Sequence, residues 1–488
     1  MKKISILLLI SFFVIACSKT ETTKNRLLKV SENGRFLEFT NGEPFLYLGC
    51  TAWELFHKLN KEEAAEYLTN RSEKGFTVIQ AVVLAEMGGL KVPNAYGEIP
   101  LIDQDPTKPN EKYFEHVDFI VAKAEELGLF IGMLPTWGDK VTAEHGGEGV
   151  IFNSDNARFY GEFLGKRYKD KPVIWILGGD RNVSNDTVFQ IWKAMAEGLR
   201  AGDSGEHLIT MHPRGNKSSS EWFHKEDWLD FNLYQSGHGA RFNNVYEYAQ
   251  HDYLLQPAKP CVDGEPAYEN IPVKFWEYCD WSDSLRVPRE VLDSNLLISD
   301  KSYFDKGFFT DYDIRIHAYW NLLSGACGYT YGNNAIWQMF RKGGSIAIPC
   351  LYDWRESMDQ PGAKNIRYLR SLFESRSFTK IIPDQTLIQG DNPKDSSHIV
   401  SAIASDRSFL LVYLAIGQTV SIDMSNIIAS EVQAWWFNPR DGNATLIGSF
   451  DNKEIKDFVP PSGGLNNDWV LVLEDADSFR DAPGLSVL

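Results

Sequence analysis

The sequence has few cysteines, a shortage of positive charge, and none of the short motifs that mark nucleotide, zinc-protease or serine-hydrolase chemistry. Six of its 488 residues are cysteine. Apart from Cys17 they are Cys50, Cys261, Cys279, Cys327 and Cys350, an odd number with neither close pairing nor metal-type spacing. That excludes a disulfide framework and a zinc site, and Cys50, Cys261 and Cys327 read as buried thiols in core strands. Lysine and arginine total 49 against 66 acidic residues, a net charge of −17 with no basic run, so nucleic acid is not an expected partner. No Gly-x-Gly-x-x-Gly follows a strand, and there is no P-loop, no His-Glu-x-x-His and no Gly-x-Ser-x-Gly elbow. The chemistry left open requires no metal and no cofactor.

What is present begins with a leader. Lys2-Lys3 precede the apolar segment 4–16, which is too short to span a bilayer and has the charged and hydrophobic regions of an export signal. Val14-Ile15-Ala16-Cys17 resembles a bacterial lipobox, in which Cys17 would carry the lipid. The expected order is a signal peptide over 1–17 and a polar tether over 18–34. The expected location is the envelope of a Gram-negative-type cell, with the lipid as the sole attachment to the membrane.

From residue 35 strands and helices alternate, the pattern of a parallel sheet wrapped by helices. Eight strands can be read, near 45–49, 77–83, 129–135, 173–178, 208–213, 229–236, 260–265 and 326–331. The expected fold is therefore a (β/α)8 TIM barrel over 35–377. Helices are expected over 61–74, 112–127, 154–168, 186–201 and 312–323. The segment 84–110 is long and without periodicity, as functional loops are. After residue 377 only short strands remain, separated by Asp, Asn, Gly and Pro, so an antiparallel β-sandwich is expected over 378–488.

The chemistry concentrates at two strand ends. Lys171-Pro172-Val173-Ile174-Trp175-Ile176-Leu177-Gly178-Gly179-Asp180 is apolar on both faces, as a strand buried between layers must be, and it stops on two glycines and a carboxylate. The glycines suggest a place where substrate approaches the backbone. Pro260-Cys261-Val262-Asp263-Gly264-Glu265 has the same form. Barrels project reactive groups from the C-terminal ends of their strands, so Asp180 and Glu265 can face each other across the mouth. Two facing carboxyl groups are what glycoside cleavage needs. Asp263 competes with Glu265, which is preferred because it follows Gly264 at the strand end.

Around them, Trp53, Trp137 and Trp337 follow strands one, three and eight and could stack on sugar. Gln80 within strand two, His212, Tyr234, Gln235 and His238 near the ends of strands five and six, and Asn333 beyond strand eight could bind hydroxyls. For each of these the alternative is packing or a structural role.

The combined stretches carry a resemblance. The strand leading to Trp53, the Trp175-to-Asn182 stretch, Asp263-Gly264-Glu265-Pro266 and the C-terminal Trp436-Phe437-Asn438-Pro439-Arg440-Asp441-Gly442 resemble glycoside hydrolase family 140, the apiosidase-like enzymes, whose annexed domain is sometimes labelled collagen-binding. The resemblance implies cleavage of apiose-linked side chains of pectin, with a plant cell-wall oligosaccharide or polysaccharide as partner. It makes Asp180 and Glu265 the catalytic pair, and their places after strands four and seven, where barrels of the retaining type carry acid/base and nucleophile, assign Asp180 as acid/base and Glu265 as nucleophile. Many related barrels carry Asn-Glu where this chain has Gly179-Asp180, and the shorter side chain bears on the carboxyl separation, which is wider in inverting than in retaining enzymes. The competing readings are a glycosidase of the same barrel type on another furanoside or β-linked polysaccharide, a non-catalytic surface glycan-binding lipoprotein, and an adhesin acting through the sandwich.

Overall fold

The computed structural model describes residues 27–279, 287–453, 455–479 and 481–485. The leader, Cys17 and most of the tether lie outside them. The folded part begins inside the stretch assigned to the tether: Leu28–Val30 pairs antiparallel with Leu37–Phe39, which pairs with Pro44–Phe45. Hydrophobic residues at 27, 28 and 37 are all buried, so this segment has a core to join. Among the described residues no helix is long and apolar enough to cross a membrane.

Eight parallel strands form the barrel: β1 (Tyr47–Thr51), β2 (Val78–Leu84), β3 (Phe130–Thr136), β4 (Val173–Gly178), β5 (Ile209–His212), β6 (Asn232–Gln235), β7 (Cys261–Asp263) and β8 (Gly328–Tyr331). They are hydrogen-bonded in the order β5-β4-β3-β2-β1-β8-β7-β6, with Lys217–Ser218 antiparallel on β6. Between β5 and β6 the barrel closes through three bonds, Asp230 N–H to the Ile209 carbonyl (2.9 Å), Ile209 N–H to Asp230 Oδ2 (2.6 Å) and Thr210 Oγ1 to the Phe231 carbonyl (2.7 Å). Every residue of β1 to β8 is buried. The N-terminal sheet plugs the lower end, where Phe39 and Phe45 meet Phe130 at the start of β3. The other end, where the strands finish, is left for the site.

The main helices are α1 (Lys61–Glu73), α2 (Glu111–Glu126), α3 (Ser154–Tyr168), α4 (Asp186–Asp203), α5 (Val245–Leu254), α6 (Asp311–Leu322) and α7 (Pro361–Ser375). Polar caps start several of them: Asn60 and Asn153 form capping boxes, and Asn110 and Asn185 accept backbone N–H groups. Helices α3 and α4 lie on either side of β4 in the chain and approach each other through glycines. A Cβ at Gly161 would sit 2.4 Å from the Met195 carbonyl oxygen, and one at Gly198 would sit 2.2 Å from that of Arg158. Helix α7 was not expected; Pro361 at its first turn and buried Ile366, Leu369, Leu372 and Phe373 at helical spacing account for it.

A C-terminal unit follows, with a six-stranded antiparallel sheet that includes Ile399–Ala404, Phe409–Leu414, Val432–Phe437 and Trp469–Asp475, and a second sheet of three short strands. It is sealed to the barrel by α6 and α7. Tyr319 stacks on Tyr413 (4.7 Å between ring centroids, 7°), and Trp320 Nε1 donates to the His398 carbonyl. Arg315 makes a two-pronged pair with Asp468 (2.8 and 3.0 Å), and Arg376 does the same with Glu474 (2.6 and 3.1 Å). All five described cysteines are free and buried.

Candidate active site

Asp180 owes its place to the end of β4. Gly178 and Gly179 take φ of +88° and +117°, values that L side chains rarely adopt. Packing demands them, contrary to the expectation that they leave room for substrate. A Cβ at residue 178 would lie 2.2 Å from the His212 carbonyl oxygen, and one at residue 179 would lie 2.6 Å from the Trp137 ring. Asp180 itself is left-handed (φ +47°), a conformation that aspartate tolerates better than most residues.

Glu265 follows β7 by two residues. Gly264 between them has its N–H on the Tyr234 carbonyl (2.8 Å) and its carbonyl on Gln80 Nε2 (2.9 Å). The Glu265 carboxylate is buried, with His238 Nε2 3.2 Å from Oε1 and His212 Nε2 3.0 Å from Oε2. Tyr268 is buried beside this carboxylate, whose charge adds to burial in raising its hydroxyl pKa, and it accepts from Trp53 Nε1 at 3.0 Å. Trp53 and Trp137 pack together (5.3 Å between centroids), and both rings flank His212.

The two carboxyl groups are pushed in opposite directions. Burial works against ionisation of Glu265, but the nearness of His212 and the hydrogen bond with His238 overcome it and pull its pKa down to about 2. Asp180 keeps 36% of its side chain open to the mouth. Crowding by the rim and the negative charge of Glu265 nonetheless raise it above the ordinary aspartate value, against the pull of Arg181 and His212. One group is thus held ionised and the other is helped to keep a proton, the division of labour that acid-assisted bond cleavage requires.

The structure brings Asp180, Glu265, His212, His238, Trp53 and Trp137 together. Gln235 points to the same interior, beside Gly215, with its buried Oε1 lacking a protein donor. Trp337 belongs to the apolar cluster of Trp53, Trp137 and Tyr268, with its Nε1 on Asn334. Two expectations, for Gln80 and Tyr234, are corrected. Gln80 does point into the barrel, but its amide is taken up by Tyr47, Thr330 and Gly264, so it positions the strand before Glu265 and does not reach for hydroxyls. Tyr234 faces the helices, bonded to Asn321 (2.6 Å) and stacked on Tyr248, because strand alternation turns it away from the interior that Leu233 and Gln235 face. Asn333 caps the short helix Asn334–Trp337 through the Ala335 N–H. Asp263 likewise faces outward, held by Ser236 and Asn321, with burial raising its pKa to about 7.

Sequence reasoning missed the second ring of charge. Arg181, 5% exposed, lies 3.7 Å from the Asp180 carboxylate and 4.0 Å from Glu86, with its guanidinium also on the Gly146 carbonyl. Burial and then the charge of Asp180 push Glu86 up to about 8. Lys140 is fully buried against Asp139 (2.8 Å) and Glu148 (3.5 Å), tying together the loops after β2 and β3. Tyr268 was legible only as an aromatic three residues past Glu265. Among the described residues no group of three or more His, Cys, Asp or Glu could hold a metal ion.

Comparison with known proteins places this geometry. Residues 31–380 match the family model described as "Apiosidase-like, catalytic domain", and residues 382–474 match "Putative collagen-binding domain of a collagenase". A solved structure titled only as a glycoside hydrolase is 32% identical, with a TM-score of 0.80 over 94% of this chain and 99% of its own. A glycoside hydrolase family 5 structure from Bacteroides vulgatus ATCC 8482 is also 32% identical, with a TM-score of 0.79 over 93% and 94%. No curated protein matches.

Proposed function

This chain belongs to the apiosidase-like family of glycoside hydrolases, and on that footing we propose that it cleaves apiose-containing side chains of pectin with retention. It is a glycosidase, and the observation that carries the proposed roles is the opposed pKa shift of its two facing carboxyl groups. Asp180 gives its proton to the leaving oxygen while ionised Glu265 attacks the anomeric carbon. Asp180 then takes a proton from the water that frees the sugar from Glu265. His238 and His212, on the two carboxylate oxygens, hold the attacking group in place, and Trp53, Trp137 and Tyr268 form the wall beside it. In the cell the enzyme is an exported lipoprotein, attached through Cys17 to a Gram-negative-type envelope, which sets it among plant cell-wall fragments.

The test is release of sugar from apiose-containing pectic oligosaccharides by the wild type, Asp180→Asn and Glu265→Gln. Either substitution is expected to remove several orders of magnitude of rate. No release by the wild type would sink the substrate assignment, and full activity in either variant would sink the catalytic pair.

A further inference from the structure

Among the described residues one tryptophan is exposed, and it stands beside the site. Trp276 keeps 44% of its surface in solvent, whereas the other described tryptophans are buried or half-buried. It sits in the short helical turn Phe275–Glu277, whose position is fixed from both flanking loops. The Lys274 N–H donates to the His238 carbonyl (3.0 Å), and Glu277 pairs with Lys306. The turn therefore moves with the loop after β6 that carries His238, the donor to Glu265.

From Glu265 outward the rings form a file. His238 touches the carboxylate, Phe275 lies 5.5 Å from the His238 ring, and Trp276 lies edge-on to Phe275 at 5.4 Å. Gly239, next to His238, lies by the tip of the indole: a Cβ added there would come to 3.8 Å from it, ordinary contact distance. Leaving an indole in water forfeits the transfer free energy that burial would return, unless a partner covers it. The partner that fits is already implied by the neighbouring site, since the C–H face of a sugar ring is flat and apolar and stacks on indole.

We propose that Trp276 is a stacking platform for a sugar unit beyond the two joined by the bond that is cut, so that the enzyme grips an oligosaccharide chain. This rests on the glycosidase reading of Asp180 and Glu265. The occupant is a sugar because the platform is continuous with the site through His238 and Phe275.

The experiment compares the wild type, Trp276→Ala and Trp276→Phe on two substrates: an aryl apioside, which offers no further sugar, and an apiose-bearing pectic oligosaccharide. Trp276→Ala is expected to lose about tenfold or more in kcat/KM on the oligosaccharide, equivalent to ~1.4 kcal/mol. The same variant is expected to stay within about twofold on the aryl apioside, with Trp276→Phe between it and the wild type. Equal losses on both substrates, or none on either, would overturn the platform. Retardation in gels containing pectin, arabinan or mannan is measured in parallel with Glu265→Gln and Glu265→Gln/Trp276→Ala. If the wild type cleaves neither apioside, the apiose assignment fails, while weaker retardation of the double variant still supports the platform. Equal retardation of the two proteins, or none in any gel, overturns it. A dimer lost in Trp276→Ala with unchanged kinetics would assign the indole to a second copy of the chain, and would overturn it as well.

Discussion

The barrel mouth and the seam between barrel and sandwich both bury charge, and they treat it in opposite ways. At the seam each charge meets its complement in two-pronged geometry: Arg315 with Asp468, and Arg376 with Glu474. At the mouth like charges are brought together. Asp180, Glu86 and Glu265 crowd one another around Arg181 and two histidines, and their pKa values spread from about 2 to about 8. Satisfied pairs give cohesion and dissatisfied ones give reactivity, and the same parallel sheet supports both because α6 carries the seam on its outer side while the strand ends carry the mouth.

The largest expected effect contrasts the two regions directly. Glu265→Gln should cost several orders of magnitude in rate and only part of that in stability, because His212 and His238 lose the charged acceptor they hold ionised while the repulsion at Asp180 is relieved. Asp468→Ala should do the reverse. Arg315 would keep Asp311 but lose its two-pronged buried partner, and Tyr413 would lose an acceptor, which should cost about 2–3 kcal/mol in denaturant unfolding with kcat per folded molecule unchanged. A stability loss at the mouth as large as that at the seam would dissolve the contrast.

Smaller effects sharpen it. His238→Phe removes one of the donors that keep Glu265 ionised, so the acid limb of the kcat/KM profile should move upward by about one pH unit. An unmoved limb would show that His212 alone sets that charge. Glu86→Gln should alter the dependence of stability on pH. The folded carboxyl, raised to about 8, binds its proton where the unfolded one has already lost it. It therefore contributes stability that is complete below the ordinary glutamate pKa and is lost as pH rises through about 8. Melting temperatures of the variant should fall less between pH 4 and pH 9, ~5 units that span both pKa values. Smallest of all, Tyr234→Phe should cost about 1 kcal/mol for its bond to Asn321 and leave kcat/KM alone.

The contrast also marks what the sequence could disclose. Strands buried on both faces leave long apolar runs, and β4 and β7 were legible for that reason, as were the carboxylates that follow glycine at their ends. The inward and outward faces were legible in principle: with Leu233 inside, alternation already turns Tyr234 out. Gln80 was read correctly as inward-facing, yet nothing local reveals that Tyr47, Thr330 and Gly264 consume its amide, because those partners come from strands one, seven and eight. Glu86, Arg181 and Asp139 lie on loops whose course depends on packing against other loops, and no period of 2 or 3.6 marks them. In the C-terminal unit the four buried strands stood out, whereas Ala444–Phe450 and Ile455–Phe458, largely exposed, did not.

The contact between Trp137 and Gly179 bears on how such an enzyme can change. The indole fills the volume that any side chain at 179 would need, and it comes from the loop after a different strand. Position 179 cannot drift alone: a larger residue there needs a background where 137 has already shrunk, and it still carries the strain of a φ near +117°. Libraries that randomise one loop at a time will keep recovering glycine there, and a chain that inherits the pair inherits a restricted set of routes to a new pocket.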